Sequence, residues 1–375
     1  MRVTIGSMTT EVTDIVVGTL RTGLVGAGFM ARVHSAASRR AGARLTAVAT
    51  SNPARAEAAA RHLGIERAEG SARSLLAASD IDVVHICTPN GTHSSLALAA
   101  LAAGKHVVCE KPLATSAADA RALVAAADEA GLVAAVPFVY RYHPMVREAR
   151  ARIAQGEAGT LLSIDCSYLQ DWMLRADDDD WRADAAAGGP SRAFADIGSH
   201  LCDLIEFVTG ERITRLTART RRVFDERGGR GVSNEDIAAV LVETESGAIG
   251  TLLVSQMAPG RKNALVLELH GTDHSMRFAQ ERPEELWIGG REGSRLLLRD
   301  PATAAPDSAR LQSAPAGHPM GYQDAFDGFI ADVYAAIAGE EPEGLPTFAD
   351  GLRAAVLTEA VLAAADSRTW IEVPA

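Results

Sequence analysis

Three short segments carry residues able to do redox chemistry. Gly26-Ala27-Gly28-Phe29-Met30-Ala31 is a glycine-rich turn of the kind that cradles a dinucleotide pyrophosphate. Glu110-Lys111-Pro112 ends the apolar run His106 to Cys109, which reads as a buried strand. Ligands of open α/β sheets bind beyond the carboxyl ends of the strands, so Lys111 can point its ammonium at one. Asp196-Ile197-Gly198-Ser199-His200 places a carboxylate and an imidazole four residues apart, on one face if a helix begins by Asp196. Oxidising an alcohol needs a proton acceptor and a nearby hydride acceptor. In this order the segments predict hydride transfer to or from a nicotinamide, with Lys111, Asp196 and His200 as the catalytic set.

The glycine turn stands in the right context, after the strand-like Thr22 to Val25 and opening a helix. Gly26 permits the tight turn, Gly28 lets the backbone approach a pyrophosphate, and Ala31 is small enough for close helix–sheet packing. The phosphates would sit at the helix N-terminus, beside Phe29 and Met30. An acid at the end of the second strand would select NAD by binding the ribose hydroxyls. The chain instead has Thr50-Ser51-Asn52-Pro53-Ala54-Arg55. Hydroxyls and Arg55 suit a phosphate, although Arg55 reads equally as a solvated helix residue. The expected cofactor is NAD(P), leaning to NADP.

Asp196 either fixes the tautomer of His200 or binds a substrate hydroxyl while His200 relays the proton. As an isolated pair the two also read as an N-cap aspartate and a partly buried histidine. Asp196, His200 and Asp203 offer three metal ligands, but nothing completes the cluster and no metal is expected. Only three lysines occur, Lys105, Lys111 and Lys262. Lys105, just after the helix-closing Gly104, reads as solvated.

The elements that must position these groups alternate at first. Strands are expected over residues 20–25, 43–49, 83–87, 106–109 and 132–136. Helices are expected over 28–40, 53–63, 94–103 and 117–130, with Asn52 as N-cap and Pro53 at the first helical position. This alternation predicts a doubly wound parallel sheet. After Tyr140 the pattern changes to a helix (145–155), a strand (161–169), a polar loop (171–190) and a helix (197–208). Strands follow over 212–223, 237–244, 248–256, 265–270 and 276–278, then helices over 322–338 and 348–365. Short turns such as Ser246-Gly247 suggest a mostly antiparallel sheet, whose second face needs a cover that a partner subunit can supply. The expected organisation is a tail (1–19), a Rossmann domain (20–140) and a substrate and oligomerisation domain (141–375). Met8 is an alternative start within the tail.

Composition narrows the class. The chain has 375 residues, 47% hydrophobic, with a net charge of -11. Two domains with real cores are possible, and the acidic balance argues against nucleic acid as a partner. No apolar run approaches a membrane span, and no signal-peptide pattern opens the chain. Cys87, Cys109, Cys166 and Cys202 show no ligand spacing, consistent with a reduced cytoplasmic protein.

Taken together, these segments resemble the glucose-fructose oxidoreductase / inositol dehydrogenase / rhizopine catabolism protein family over nearly the whole chain from Thr22. The glycine turn matches its nucleotide turn, Thr88-Pro89-Asn90 its second cofactor-facing loop, Glu110-Lys111-Pro112 its hallmark tripeptide and Asp196 to His200 its Asp-x-x-x-His element. The resemblance implies a Rossmann domain followed by an α/β domain with an open, mostly antiparallel sheet that forms dimers or tetramers. It implies oxidation or reduction at a sugar or cyclitol carbon, with Lys111 and His200 transferring the proton and Asp196 positioning substrate or histidine. It also implies cofactor contacts from Thr88, Pro89, Asn90 and Glu110. Phe138 to Tyr142 resembles the segment lining the sugar pocket, which makes Tyr140 and Arg141 substrate candidates. Tyr168-Leu169-Gln170-Asp171-Trp172, with Trp181-Arg182 beyond it, resembles levoglucosan dehydrogenase-like members and adds Tyr168, Gln170, Trp172 and Trp181. Aromatic faces and amides suit a pyranose, which is favoured over the alternative that the same residues end a strand and pack the sheet. Thr50 departs from NAD-preferring members. Asp177 to Asp180 reads as a solvated loop face. The other readings are a keto-sugar reductase using the same residues and a non-catalytic nucleotide-binding regulator, which would need only the glycine turn.

Overall fold

The computed structural model describes residues 19–374. The tail expected over 1–19, with Met8, lies outside them except for Thr19. The chain opens with β1 (Arg21–Val25), α1 (Phe29–Arg40), β2 (Arg44–Ala49), α2 (Pro53–Leu63), β3 (Arg67–Glu69), α3 (Ala72–Ala77), β4 (Val83–Ile86), α4 (His93–Ala102), β5 (His106–Cys109), α5 (Ala117–Ala130) and β6 (Ala134–Ala135). The six strands form one sheet in the order β3-β2-β1-β4-β5-β6, and every pairing is parallel. All four residues of β4 are buried, because helices cover both faces of such a sheet and alternation gives way to continuous apolar runs. Asn52 caps α2 as expected, its Oδ1 accepting from the backbone N–H of Ala54 and Arg55.

The second part comprises α6 (Pro144–Ala154), β7 (Leu161–Leu169), α7 (Ala185–Gly188), α8 (Ser199–Thr209), β8 (Ile213–Arg221), β9 (Glu226–Arg227), β10 (Arg230–Gly231), β11 (Ile237–Thr244), β12 (Ile249–Ser255), β13 (Ala264–Gly271), β14 (Ser275–Ala279), β15 (Glu285–Gly290), β16 (Gly293–Leu298), α9 (Pro306–Arg310), α10 (Tyr322–Ile337), α11 (Phe348–Ser367) and β17 (Ile371–Glu372). Nine strands make a sheet in the order β16-β15-β14-β13-β7-β12-β11-β8-β17. It is antiparallel except where β12 runs parallel to β7. Its inner face alternates buried and open residues, as in β11, the signature of a sheet covered on one side. Leu241, Ile249, Leu253, Leu296 and Leu298 remain exposed.

Several expectations need correction. β3 and α3 fill a stretch left without elements, and β15 and β16 extend the second sheet; β3 is too short for a periodic signal. The 171–190 segment includes α7 and short turns. Asp179 pairs with Arg230 and Asp180 with Arg182, so that acidic run is not simply solvated. Lys105 is buried, its Nζ donating to the carbonyls of Ala78 (2.9 Å) and Ile81 (2.8 Å). Those carbonyls end α3 and precede β4, and the ammonium satisfies groups that would otherwise be buried without partners.

The last two helices bind the halves together. Phe326, Phe329, Ile330 and Val333 of α10 share a core with Val33 and Ala37 of α1, Val83 and Val108. Burying each large apolar side chain contributes about 1.5–3 kcal/mol. α11 places Phe348, Ala354 and Ala355 in the core of the first sheet and Leu357, Val361 and Ala364 in that of the second. The segment beyond residue 320 therefore completes both halves and fixes the cleft between them.

Candidate active site

The glycine turn lies where β1 hands over to α1. Gly26 has φ +107°, and a Cβ there would stand 2.3 Å from the Cys87 carbonyl oxygen, so only glycine fits. A Cβ on Gly28 would meet nothing within 4 Å. The first turn of α1 has no side-chain cap, which leaves its N–H groups available to an anion. Phe29 is 60% exposed beside it. An open cradle, uncapped donors and an exposed apolar flank fit a dinucleotide pyrophosphate. At the end of β2, Thr50 Oγ1 donates to the Asn52 carbonyl (2.6 Å). The Asn52 side chain is committed to its cap, while Ser51 and Arg55 are exposed.

Lys111 follows β5 and crosses the cleft. Its Nζ donates to Asp196 Oδ1 (2.6 Å) and to the Asp196 carbonyl (2.9 Å). Asp196 Oδ2 accepts from Gln256 Nε2 (2.8 Å), and Arg182 Nε stands 3.4 Å from Oδ1. Burial opposes the ionisation of Asp196, but the charges of Lys111 and Arg182 outweigh it and hold the carboxyl well below its usual range. The backbone turns through a π-helical segment, Phe194–Gly198, before α8. No hydrogen bond links Asp196 and His200 among the described residues. Asp196 thus orients Lys111 rather than the imidazole.

His200 packs edge-on against Phe138 and Tyr140, with centroids 5.6 and 5.0 Å away. Its Nδ1 is buried without a partner. Burial, aided by the Lys111 charge, pushes its pKa far down, so the ring is neutral. Asp203 is held by Arg141 (2.8 Å to Nε) and does not join Asp196 and His200. Among the described residues no group of three or more His, Cys, Asp or Glu is placed to hold a metal ion.

Four substrate candidates form one hydrogen-bonded row. The Tyr140 and Tyr168 hydroxyls meet. Tyr168 donates to Asn263 Oδ1 (2.6 Å), as does Gln170 Nε2 (2.9 Å), and Trp172 Nε1 donates to Gln170 Oε1 (2.8 Å). Trp181 lies under the Arg182 guanidinium at 4.3 Å, with Trp172 at 5.9 Å on the same cation. Arg227 holds this loop by donating to the carbonyls of Met173 (2.9 Å) and Asp178 (3.2 Å).

Three expected contacts turn elsewhere. Arg141 pairs with Asp203 and Asp350 over the Phe207 ring, lining a separate cavity of about 270 Å³. A buried guanidinium needs carboxylates, and those lie on the far side of the Val139–Tyr142 turn. The Asn90 side chain donates to the Gly188 carbonyl (2.9 Å), tying the Thr88-Pro89 loop to α7. Glu110 faces inward, accepting from His34 Nε2 (3.0 Å) and the Lys111 N–H (3.2 Å). Sequence reasoning missed Gln256, Asn263 and Tyr322. Gln256 could have been suspected from its place just past a strand's carboxyl end. Tyr322, at the start of α10, reaches toward Met30 Sδ (4.0 Å) and lies 6.4 Å from the Tyr140 ring; nothing local marks it.

Residues 20–138 match the oxidoreductase family with an NAD-binding Rossmann fold, and residues 146–277 match the GFO/IDH/MocA C-terminal domain. The levoglucosan dehydrogenase of Pseudarthrobacter phenanthrenivorans is 33% identical over 95% of this chain and 98% of its own. The chain belongs to this oxidoreductase family. The inositol 2-dehydrogenase of Rhizobium meliloti is 32% identical over 73% of this chain and 80% of its own. Among solved structures, a levoglucosan dehydrogenase in complex with NADH and levoglucosan superposes with a TM-score of 0.90 at 32% identity, covering 95% of this chain and 99% of that one. An oxidoreductase domain protein from Kribbella flavida gives 0.89 at 35% identity, covering 95% and 100%. The protein is therefore an oxidoreductase with an NAD-binding Rossmann domain, as its sequence motifs implied. No helix among the described residues is long and apolar enough to cross a membrane.

Proposed function

We propose that the protein is a dehydrogenase moving hydride between NAD(P) and a secondary hydroxyl or keto carbon of a sugar, anhydrosugar or related glycoside or cyclitol. The observation that carries this reading is the Lys111 ammonium, clamped by Asp196 beneath the aromatic and amide row. The bound nicotinamide supplies the hydride acceptor. Lys111 has one N–H left after its two bonds to Asp196, and with it donates a hydrogen bond to the substrate oxygen without giving up the proton. Neutral His200 takes the hydroxyl proton as the C–H bond gives up its hydride. Tyr168, Gln170 and Asn263 bind ring hydroxyls, and Trp172 and Trp181 wall the ring. Ketone reduction reverses the same transfers.

The absence of an acid from Thr50 to Arg55 supports use of NADP. The exposed leucines and isoleucine on the second sheet support a homodimer or homotetramer through that face. The four free cysteines, three of them buried, suit the reduced cytoplasm. The test is a panel of levoglucosan, myo-inositol, glucose 6-phosphate and D-xylose with NAD+ and NADP+. Oxidation of at least one sugar is expected, with the higher kcat/KM on NADP+. Cofactor binding without turnover of any would favour the regulator, and a clear NAD+ preference would overturn the cofactor reading.

A further inference from the structure

The Glu110 carboxylate is the end of a hydrogen-bonded chain that runs through the first domain. Glu110 Oε1 meets His34 Nε2 at 3.0 Å, and His34 Nδ1 meets His85 Nδ1 at 2.9 Å. His85 Nε2 meets the Tyr334 hydroxyl at 3.1 Å. That hydroxyl lies 3.0 Å from both Ser38 Oγ and Thr22 Oγ1. His34, His85 and Ser38 are fully buried, and the chain joins α1, β1, β4 and α10 to the residue just past β5.

Two facing Nδ1 atoms need one proton between them; two bare nitrogens would repel, and two N–H groups would clash. An ionised Glu110 requires His34 to donate at Nε2. A neutral His34 then has a bare Nδ1, so His85 donates at Nδ1 and accepts at Nε2 from Tyr334. Tyr334 in turn accepts from Thr22 Oγ1. This order satisfies each link and buries no positive charge. The other carboxylate oxygen accepts the Lys111 backbone N–H at 3.2 Å, so the rotamer of Glu110 sets the start of the turn that carries the lysine.

We propose that His34 and His85 are positioning residues: a proton-ordered pair, anchored by Tyr334, that fixes the Glu110 carboxylate and through it Lys111. The inference rests on the reading of Lys111 as the group that holds the substrate oxygen by a hydrogen bond. The ionisable groups facing Glu110 are His34 of α1, His93 of α4, Cys87 after β4, Cys109 of β5, its neighbour Lys111, Arg182 of the long loop and Tyr322 of α10. Burial opposes ionisation of Glu110; the His34 bond is the first of the effects that outweigh it. Without His34 the carboxyl takes up its proton at higher pH.

Three measurements test this. Histidine-selective ¹⁵N NMR of the whole protein should show His34 protonated at Nε2 and His85 at Nδ1; two Nε2–H tautomers would overturn the proton order. With the best sugar of the panel, His34→Ala should lower kcat about tenfold and move the acid limb of its pH profile up by about one unit. Dinucleotide affinity should stay within about twofold, and His34→Gln, which restores a donor near Nε2, should recover most of kcat. Tyr334→Phe, which removes only a hydroxyl, should shift the limb the same way but less. Unchanged profiles in the His34→Ala and Tyr334→Phe enzymes, or His34→Gln as impaired as His34→Ala, would make the chain a packing feature. A Lys111→Met enzyme with full turnover would instead remove the Lys111 reading itself.

Discussion

Lys111, Asp196 and His200 have different partners, and a different role is proposed for each. Asp196 bonds Lys111 with one oxygen and Gln256 with the other, so it ties these two side chains together. His200 keeps a buried nitrogen unpartnered, a cost of about 1–3 kcal/mol that a site bears when it uses the atom. His200→Asn keeps roughly the shape of the ring but cannot relay a proton near neutral pH. It should lower kcat about a hundredfold with little change in sugar KM. Trp172→Ala should do the opposite, since Trp172 is proposed only as an apolar wall. Steady-state kinetics of both variants separate the roles: normal kcat in the first would make His200 structural, and unchanged KM in the second would return Trp172 to sheet packing.

At the scale of elements, the strand–turn–helix at Gly26 to Ala31 is open at Gly28, where a Cβ would meet nothing within 4 Å, and the pyrophosphate is proposed to sit there. Gly28→Val should abolish dinucleotide binding while the second sheet stays folded, because the branched side chain fills the space left for the pyrophosphate. Calorimetric titration with NADH and NADPH checks this; unchanged affinity would remove the turn from the cofactor site. The same segment shows what a sequence reveals. Glycines with a steric reason, a lysine at a strand's end and a helix capped by Asn52 with Pro53 at its first position are local signals, and each names its own geometry. Arg141 carried no such signal: adjacent to Tyr140, it turns the other way because Asp203 and Asp350 await it there. Gln256, Asn263 and Tyr322 come from three separate elements and meet only once both sheets are packed. β3, three residues long, and β15 with the edge strand β16 escaped notice because a short or half-exposed strand carries little periodicity.

For the whole molecule, two properties follow from burial. Leu253 is 44% exposed on the open face of the second sheet, so Leu253→Arg should shift any oligomer toward monomer without loss of fold. Light scattering with size-exclusion chromatography checks this; a monomeric wild type, or an unaffected oligomer, would refute that face as the contact. The second property is acid sensitivity. Burial pushes the pKa of His143 down to about 4, below the ordinary value near 6.5. Between those values the unfolded chain binds the proton and the folded one does not, so stability rises with pH. The contribution is complete above about pH 6.5 and shrinks as pH falls toward 4, by about 2 kcal/mol at pH 5. His85 and His200 are shifted the same way by burial. Asp203, pushed up to about 6 by burial, acts oppositely and offsets part of the slope. Urea unfolding should show lower stability at pH 5 than at pH 7, and a shallower pH dependence for His143→Gln. Equal slopes for the two proteins would contradict the neutral, buried state of that ring.

Residue, element and molecule converge on the ammonium that Asp196 holds in the cleft. The most direct test is reduction of NAD+ and NADP+ by levoglucosan and the other sugars of the panel, in wild type and Lys111→Met, with cofactor affinity measured alongside. Sugar-dependent reduction in wild type and a loss of at least about a hundredfold in the variant, at unchanged cofactor affinity, is the expected result. Turnover by Lys111→Met near the wild-type rate would contradict the account.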